Sequence, residues 1–338
     1  MRVAVDAMGG DAAPFEIIKG AVNAAHVFSK HEIILVGDQK RIHNELDTIG
    51  HTSNNISIVH SSQVVGMNES ATVAVRKKVD SSITKSVVLV SKNEADAIVS
   101  AGNTGATVAA ATLFLRTLKN VKRPGIAVAI PTLHGTCLVI DAGANIKCKP
   151  IHLLQYGIMA SVFCSYIFNI EKPRVGLLNI GEEDVKGNDL VKEAFALLSN
   201  SQINFIGNAE GRDVFDGKFD IVVCEGFIGN VLLKFGEGLA ISLLSAFISE
   251  AKKSIRTKVG AWLCKPTFKQ LHSKNDYSEY GGVPLLGIDG ICVIAHGRSD
   301  SKAIQNAIRE AIQFGKYKVN EHIVAEIKSA DSLLATVV

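Results

Sequence analysis

The chain has 338 residues, 47% of them hydrophobic and 20% charged, a balance that packs cores and excludes a disordered protein. Its 36 basic and 33 acidic residues leave a net charge of +3, too little for a protein that coats nucleic acid. Six cysteines (Cys137, Cys148, Cys164, Cys224, Cys264 and Cys292) stand far apart with no Cys-x-x-Cys pair. That spacing predicts reduced thiols in a cytoplasmic protein and argues against a zinc or other metal site. Asp6 interrupts the first apolar run, so no signal peptide is expected.

In chain order, Arg2 to Ala7 is predicted as a strand and Met8-Gly9-Gly10-Asp11 as the turn after it. A helix from Pro14 through Ala25, a strand from Glu32 to Val36, a helix through Leu46 and a strand from Ile56 to His60 follow. Arg76-Lys77-Lys78 falls in a helical stretch that continues through Ser86 to Lys92. Ala97, Ile98 and Val99 form a short buried strand, Ser100 to Gly105 a tight polar turn, and Ala106 to Leu118 a helix with Ala110, Leu113, Phe114 and Leu118 on one face. Such a handover leaves backbone N–H groups free at a positive helix end, where phosphate or a developing oxyanion binds. Gly102 and Gly105 carry no Cβ, so a ligand can come close. An ordinary turn capped by Thr104 would present the same residues.

Two strands are expected at Gly125 to Pro131 and Thr136 to Ile140, then the turn Asp141-Ala142-Gly143-Ala144-Asn145. Ile151 to Ile170 carries no charged residue, but its polar members and the preceding Pro150 favour a buried helix over a membrane span. Strands at Arg174 to Asn179, Asn204 to Gly207 and Asp220 to Cys224 follow, with the loop from Gly181 to Asn188 and a helix from Asp189 to Leu198 among them. A last strand, Ile291 to Ala295, ends at His296-Gly297-Arg298-Ser299, and the helix after it is capped by Ser299 or Asp300. Alternating strands and helices make the fold α/β, a mainly parallel sheet flanked by helices, and the length suits one large domain or two subdomains. In such sheets ligands bind beyond the carboxyl ends of strands, where nearly every Gly/Asn/Asp-rich turn of this chain falls.

From Val231 to Lys274 the pattern changes. Leu239, Leu243, Phe247 and Ala251 recur at helical spacing, as do Ile255, Val259, Trp262 and Leu263. Between Ala251 and Asn275 stand seven basic residues, including Lys252, Lys253, Arg256 and Lys258, and no acidic one. Residues 231–275 are therefore expected to form a helical arm within a single domain of 1–338, with an apolar stripe, a basic face and a break at Pro266.

No G-x-G-x-x-G, P-loop, G-x-S-x-G or H-E-x-x-H motif occurs. Cys148 and His152 stand four apart near a helix start and form a structural rather than a catalytic pair. What remains is a set of backbone anion cradles with Lys186, the cation inside a Gly-rich strand-end loop, and Asn230, an amide donor for an oxyanion.

Several motifs resemble a known family. They are Val5-Asp6-Ala7-Met8-Gly9-Gly10-Asp11, Ser100-Ala101-Gly102-Asn103-Thr104-Gly105-Ala106, Asp141 to Asn145, Lys186-Gly187-Asn188, Phe205-Ile206-Gly207-Asn208, Gly226-Phe227-Ile228-Gly229-Asn230-Val231, Asp276 to Gly282, and His296-Gly297. In order and over about Met1 to Phe314 they resemble the bacterial acyl-acyl-carrier-protein:phosphate acyltransferases. Ala12 and Arg298 stand where that family often has His and Ser, and Asn68-Glu69-Ser70-Ala71 lacks a common proline. The resemblance implies transfer of a long fatty acyl group from acyl carrier protein to inorganic phosphate for phospholipid synthesis, without a cofactor. It also implies a homodimer with a fold similar to phosphotransacetylase and the isocitrate dehydrogenase group, and it places catalysis on Lys186 and Asn230. Candidate substrate and phosphate contacts are Asp6, Gly9, Gly10, Ser100, Gly102, Asn103, Thr104, Gly105, Asn145, Gly187, Asn188, Gly229 and His296. Lys252, Lys253, Arg256, Lys258 and Trp262 are candidates for docking the carrier protein or an anionic membrane, where a membrane acyltransferase takes up the product, or they edge a dimer contact. A phosphotransacetylase acting on a small acyl-CoA and a non-catalytic scaffold stay open as alternatives.

Overall fold

A computed structural model describes residues 1–51, 53–132, 134–275 and 281–337, with the side chains of 267–275 and 332–337 left aside. The motif residues Asp276 to Tyr280, and the side chains of Lys269 and Lys274, lie outside this description. Eleven strands form one sheet. They are β1 (Arg2–Asp6), β2 (Glu32–Gly37), β3 (Ile56–His60), β4 (Ala97–Ser100), β5 (Gly125–Thr132), β6 (Gly135–Ile140), β7 (Val175–Leu178), β8 (Phe205–Ala209), β9 (Ile221–Val223), β10 (Val283–Leu286) and β11 (Ile291–Ile294), in the order β3-β2-β1-β4-β11-β10-β5-β6-β9-β7-β8. Strand β10 was not expected, because Val283-Pro284-Leu285-Leu286 is short and contains a proline.

The sheet is two parallel runs joined by antiparallel steps. Strands β3, β2, β1, β4 and β11 are parallel, and so are β6, β9, β7 and β8. Between them, β11/β10, β10/β5 and β5/β6 are all antiparallel. Three reversals leave the two runs pointing in opposite senses. The carboxyl-end rule therefore gathers the turns of each run separately and does not by itself unite them.

Helices cover both faces. Helix α1 (Phe15–Val27) packs on α12 (Ser301–Lys316), while α3 (Ala71–Lys77), α4 (Ser82–Ser91) and α5 (Thr104–Phe114) cover the other face of the first run. Lys78 ends α3 and the Ser81 side chain caps α4 by accepting from Thr84 N–H, so the expected continuous helical region is two helices. Helix α6 (Pro150–Ile167) starts at its proline and buries Leu153, Tyr156, Met159 and Phe163, as expected of a core helix. Helix α13 (Val319–Val337) packs against it and was not anticipated.

Strand β5 is the seam. Ile126 packs with the α3–α5 side and Ile130 with the second run, while half-buried Val128 touches both apolar clusters. Two long helices, α9 (Gly226–Ala251) and α10 (Ile255–Asn275), form the arm. Helix α9 begins five residues before the expected start, and Pro266 lies inside α10 instead of breaking it.

Candidate active site

The first group of turns lies at the ends of β1, β4 and β11. Asp6 is fully buried and accepts a hydrogen bond from Ser100 Oγ at 2.7 Å and a longer one from Met8 N–H at 3.3 Å. Burial pushes its carboxyl above the usual aspartate range, against those hydrogen bonds. Gly102 N–H donates to Ser100 Oγ. A Cβ on Gly9 would collide with the Asp6 carboxylate and lie 2.8 Å from Gly102 Cα, so only glycine lets these turns meet. Asp11 N–H donates to Gly297 O at 2.7 Å, drawing in the turn after β11. There the Arg298 backbone N–H donates to His296 Nδ1, and both side chains are exposed.

Asn103, not Thr104, caps α5. Its Oδ1 accepts from Ala106 N–H and its Nδ2 donates to the carbonyls of Gly66, Met67 and Glu69. The helix consequently starts two residues earlier than expected and ends at Phe114, leaving Leu113 exposed. Asp6, Ser100 and Asn103 were expected to touch ligand. Their polar atoms make hydrogen bonds within the protein, and the first-turn N–H groups of α5, those of Thr104 and Gly105, are of the kind that a helix start leaves free of intrahelical partners.

The second group lies at the ends of β6, β9, β7 and β8. Asp141 is fully buried and takes four backbone N–H groups, those of Ile126, Gly143, Ala144 and Asn145, plus the Asn145 Nδ2. Asn145 Nδ2 also donates to Pro124 O and Tyr156 Oη, so this side chain too is committed within the fold. Asn145 O accepts from Gly226 N–H at 2.9 Å, which docks the start of α9 on the turn. A Cβ on Gly229 would collide with Asp141 O, and one on Gly143 would stand 3.6 Å from Asn230 Cβ. Asn230 thus faces Gly143 from the first turns of α9 and is not the cap; Glu225 is, without a side-chain capping bond. Burial raises the Glu225 carboxyl above its ordinary range. Ala142 and Ala144 join the apolar cluster that holds Ala106 and Ala110 of α5, which links the two groups of turns.

Cys148 and His152 do not pair. The thiol contacts Asn145 O and Tyr156 Oη at 3.9 Å and burial raises its pKa, while His152 Nδ1 accepts from Lys149 N–H. A protonated thiol is a poor nucleophile.

Lys186 is exposed in the loop after β7 and makes no ion pair among the described residues. Gly187 takes a φ of +93°, and Asn188 caps α7 (Asp189–Ser199) through Val191 N–H. Sequence reasoning assigned no role to Asp141, Tyr156, Asn179 or Asn208. For Asp141, Asn179 and Asn208 a carboxylate or amide at the end of an apolar strand was the available signal; Tyr156, inside α6, gave none. At the arm, Lys252, Lys253, Arg256, Lys258 and Trp262 are all exposed, Trp262 at 71%.

With uncharged donors ranged around two turns and a lone lysine, the arrangement suits binding of an anion beside a polar acyl carbonyl. A family model described as fatty acid synthesis protein matches residues 1–322. The phosphate acyltransferase of Geotalea uraniireducens is 49% identical over 328 residues, 97% of this chain and 94% of that one. The chain belongs to the phosphate acyltransferase family. The phosphate acyltransferase of Geobacter sulfurreducens is 47% identical over 97% of this chain and 95% of its own. Membership makes the chain an acyltransferase. A phosphotransacetylase from Streptococcus pyogenes superimposes with a TM-score of 0.63 at 15% identity, covering 95% of this chain and 94% of that one. This likeness shows the shared fold, as expected of a phosphate acyltransferase built on a mainly parallel sheet.

Proposed function

We propose that this acyltransferase moves a long-chain fatty acyl group from the thioester of acyl carrier protein to inorganic phosphate, giving acyl-phosphate for phospholipid synthesis. The observation that carries the reading is identity near half over nearly the full length to phosphate acyltransferases. A phosphate oxygen attacks the thioester carbonyl, the tetrahedral oxyanion collapses, and the C–S bond breaks to release the carrier thiolate. Phosphate is itself the nucleophile, so no serine or cysteine is required, in keeping with the burial that pushes the Cys148 thiol up. Lys186 offsets phosphate charge, and Asn230 with nearby backbone N–H groups stabilises the oxyanion; one such donor is worth ~2.7–4 kcal/mol.

The arm supplies the assembly. Helix α9 is apolar on opposite sides, with Phe235, Leu239 and Leu243 on one and Ile241, Leu244 and Ile248 on the other, all exposed. By length and composition it passes as membrane-spanning, yet its first turn is held in the core by Gly226 and Gly229. A helix apolar all round seeks burial; a second copy covers one side, and the basic tip rests on anionic lipid at the inner face of the membrane or meets the acidic carrier protein. The enzyme is then a cytoplasmic, peripheral homodimer.

Incubation with phosphate and either palmitoyl-carrier protein or acetyl-CoA, with hydroxylamine to trap acyl-phosphate, tests the substrate. Hydroxamate from the carrier thioester alone supports the reading, product from acetyl-CoA alone supports a small-acyl phosphotransacetylase, and product from neither ends both. Lys186→Ala is expected to lose phosphate saturation; wild-type turnover in that variant rules out its role.

A further inference from the structure

We propose that Asn208 is a positioning residue for acyl transfer, acting through Lys186. Asn208 lies one residue before the end of β8, is 4% exposed, and sits on the strand that flanks β7. Its Nδ2 donates to Glu183 O at 3.2 Å and Glu182 O at 3.5 Å. Glu183 O also accepts from Lys186 N–H at 3.1 Å. One carbonyl therefore takes both the amide of Asn208 and the backbone of Lys186. Asn179, at the end of β7, holds the other side of the turn: its Nδ2 donates to Lys186 O at 3.2 Å, and its N–H donates to Ala209 O at 2.8 Å. Two adjacent strand ends thus clamp the backbone of Lys186 at its N–H side and its carbonyl side.

The amide ties the loop to β8 in one orientation. Turning it over would set its oxygen against two carbonyls, so the Nδ2-to-loop orientation is fixed. In that orientation Asn208 Oδ1 is buried with no hydrogen-bond partner among the described residues. The loop itself offers little else: Glu182 pairs with exposed Lys218, and the Lys186 side chain is solvent-exposed. Lysine's flexible stem makes its charge only as well placed as the backbone beneath it. Misplacing a catalytic group by about 1 Å costs on the order of 100-fold in rate.

This inference rests on the reading that Lys186 meets phosphate, and the experiment separates the two. Steady-state kinetics in phosphate and in acyl-carrier thioester are measured for Asn208→Ala, Asn208→Asp, Lys186→Ala and the Asn208→Ala/Lys186→Ala double variant. The rise in Tm that phosphate gives each protein is recorded beside the kinetics. Asn208→Asp keeps the shape and, once ionised, has no donor, so at a pH where the carboxyl is charged it carries the test where the alanine variant folds poorly. Both Asn208 variants are expected to raise the phosphate KM or lower kcat by about 10- to 100-fold, to leave the thioester KM near wild type and to blunt the phosphate-dependent Tm rise. In the Lys186→Ala background the Asn208 change is expected to add almost nothing, the signature of groups that act as a unit. Unchanged phosphate behaviour in both Asn208 variants, or an undiminished second loss in the double variant, overturns the proposal. Wild-type phosphate behaviour in Lys186→Ala removes the reading beneath it, and the proposal with it.

Discussion

Single atoms decide how the turns close. Gly229 is the tightest case, since any Cβ would strike the carbonyl oxygen of Asp141. Gly229→Ala must push α9 away from the turn that faces Asn230. Overpacking of this kind costs about 1–3 kcal/mol, and the displaced donor is expected to lower turnover by about 100-fold; chemical denaturation and the hydroxamate assay read the two effects separately. Asp6 gives a pH prediction. Burial holds its folded pKa above the unfolded value of about 3.9. Between those two values the folded chain keeps a proton that the unfolded chain has lost, so stability falls as pH rises there. The contribution is complete below the ordinary aspartate pKa and gone once pH passes the folded one. Asp6→Asn cannot titrate, and its Tm is expected to fall less than that of the wild type as pH rises above about 4; parallel Tm curves for the two proteins refute this.

Among the elements, α5 and α9 show how ends and faces differ in what they reveal. The start of α5 shifted by two residues because Asn103, with Oδ1 on Ala106 N–H and Nδ2 on a distant loop, outcompetes Thr104 as cap. A cap can be read locally, but its second partner at Gly66 to Glu69 cannot. Helix α9 was expected to bear one apolar stripe, whereas Ile241, Leu244 and Ile248 stand exposed opposite it. Leu243→Glu and Ile248→Glu, placed singly on the two sides, are expected to differ: the side that meets a second copy yields a monomer in light scattering, with the fold intact by circular dichroism. No change of mass in either variant excludes α9 as a dimer contact. For the basic tip, wild type is expected to sediment with anionic vesicles and Trp262→Glu less so, because the exposed indole and the lysines beside it act together. Absence of the wild type from the vesicle pellet removes lipid docking.

For the whole molecule, β10 lies between the two oppositely directed parallel runs of the one sheet, with Leu285 in the cluster below α5 and Leu286 in the cluster below α6. Leu286→Ala is expected to cost about 2–5 kcal/mol and to lower the urea midpoint of the far-ultraviolet signal; an unchanged midpoint marks β10 as peripheral. The sequence by itself determined the alternating α/β order, the buried nature of α6, the chemistry-bearing turns and the family, because strand and helix periods and glycine-rich turns are local patterns. It left Lys186 and Asn230 as separate letters on separate turns. Only the tertiary structure decided that Asp6, Asn103 and Asn145 spend their side chains inside the fold, while Asp141 and Asn208 hold the turns at Asn145 and Glu183. It also decided that three antiparallel steps turn the two parallel runs against each other. Hydrogen-bond partners dozens of residues apart, and the direction in which a strand enters a sheet, depend on where the rest of the chain lies, and no local pattern encodes them.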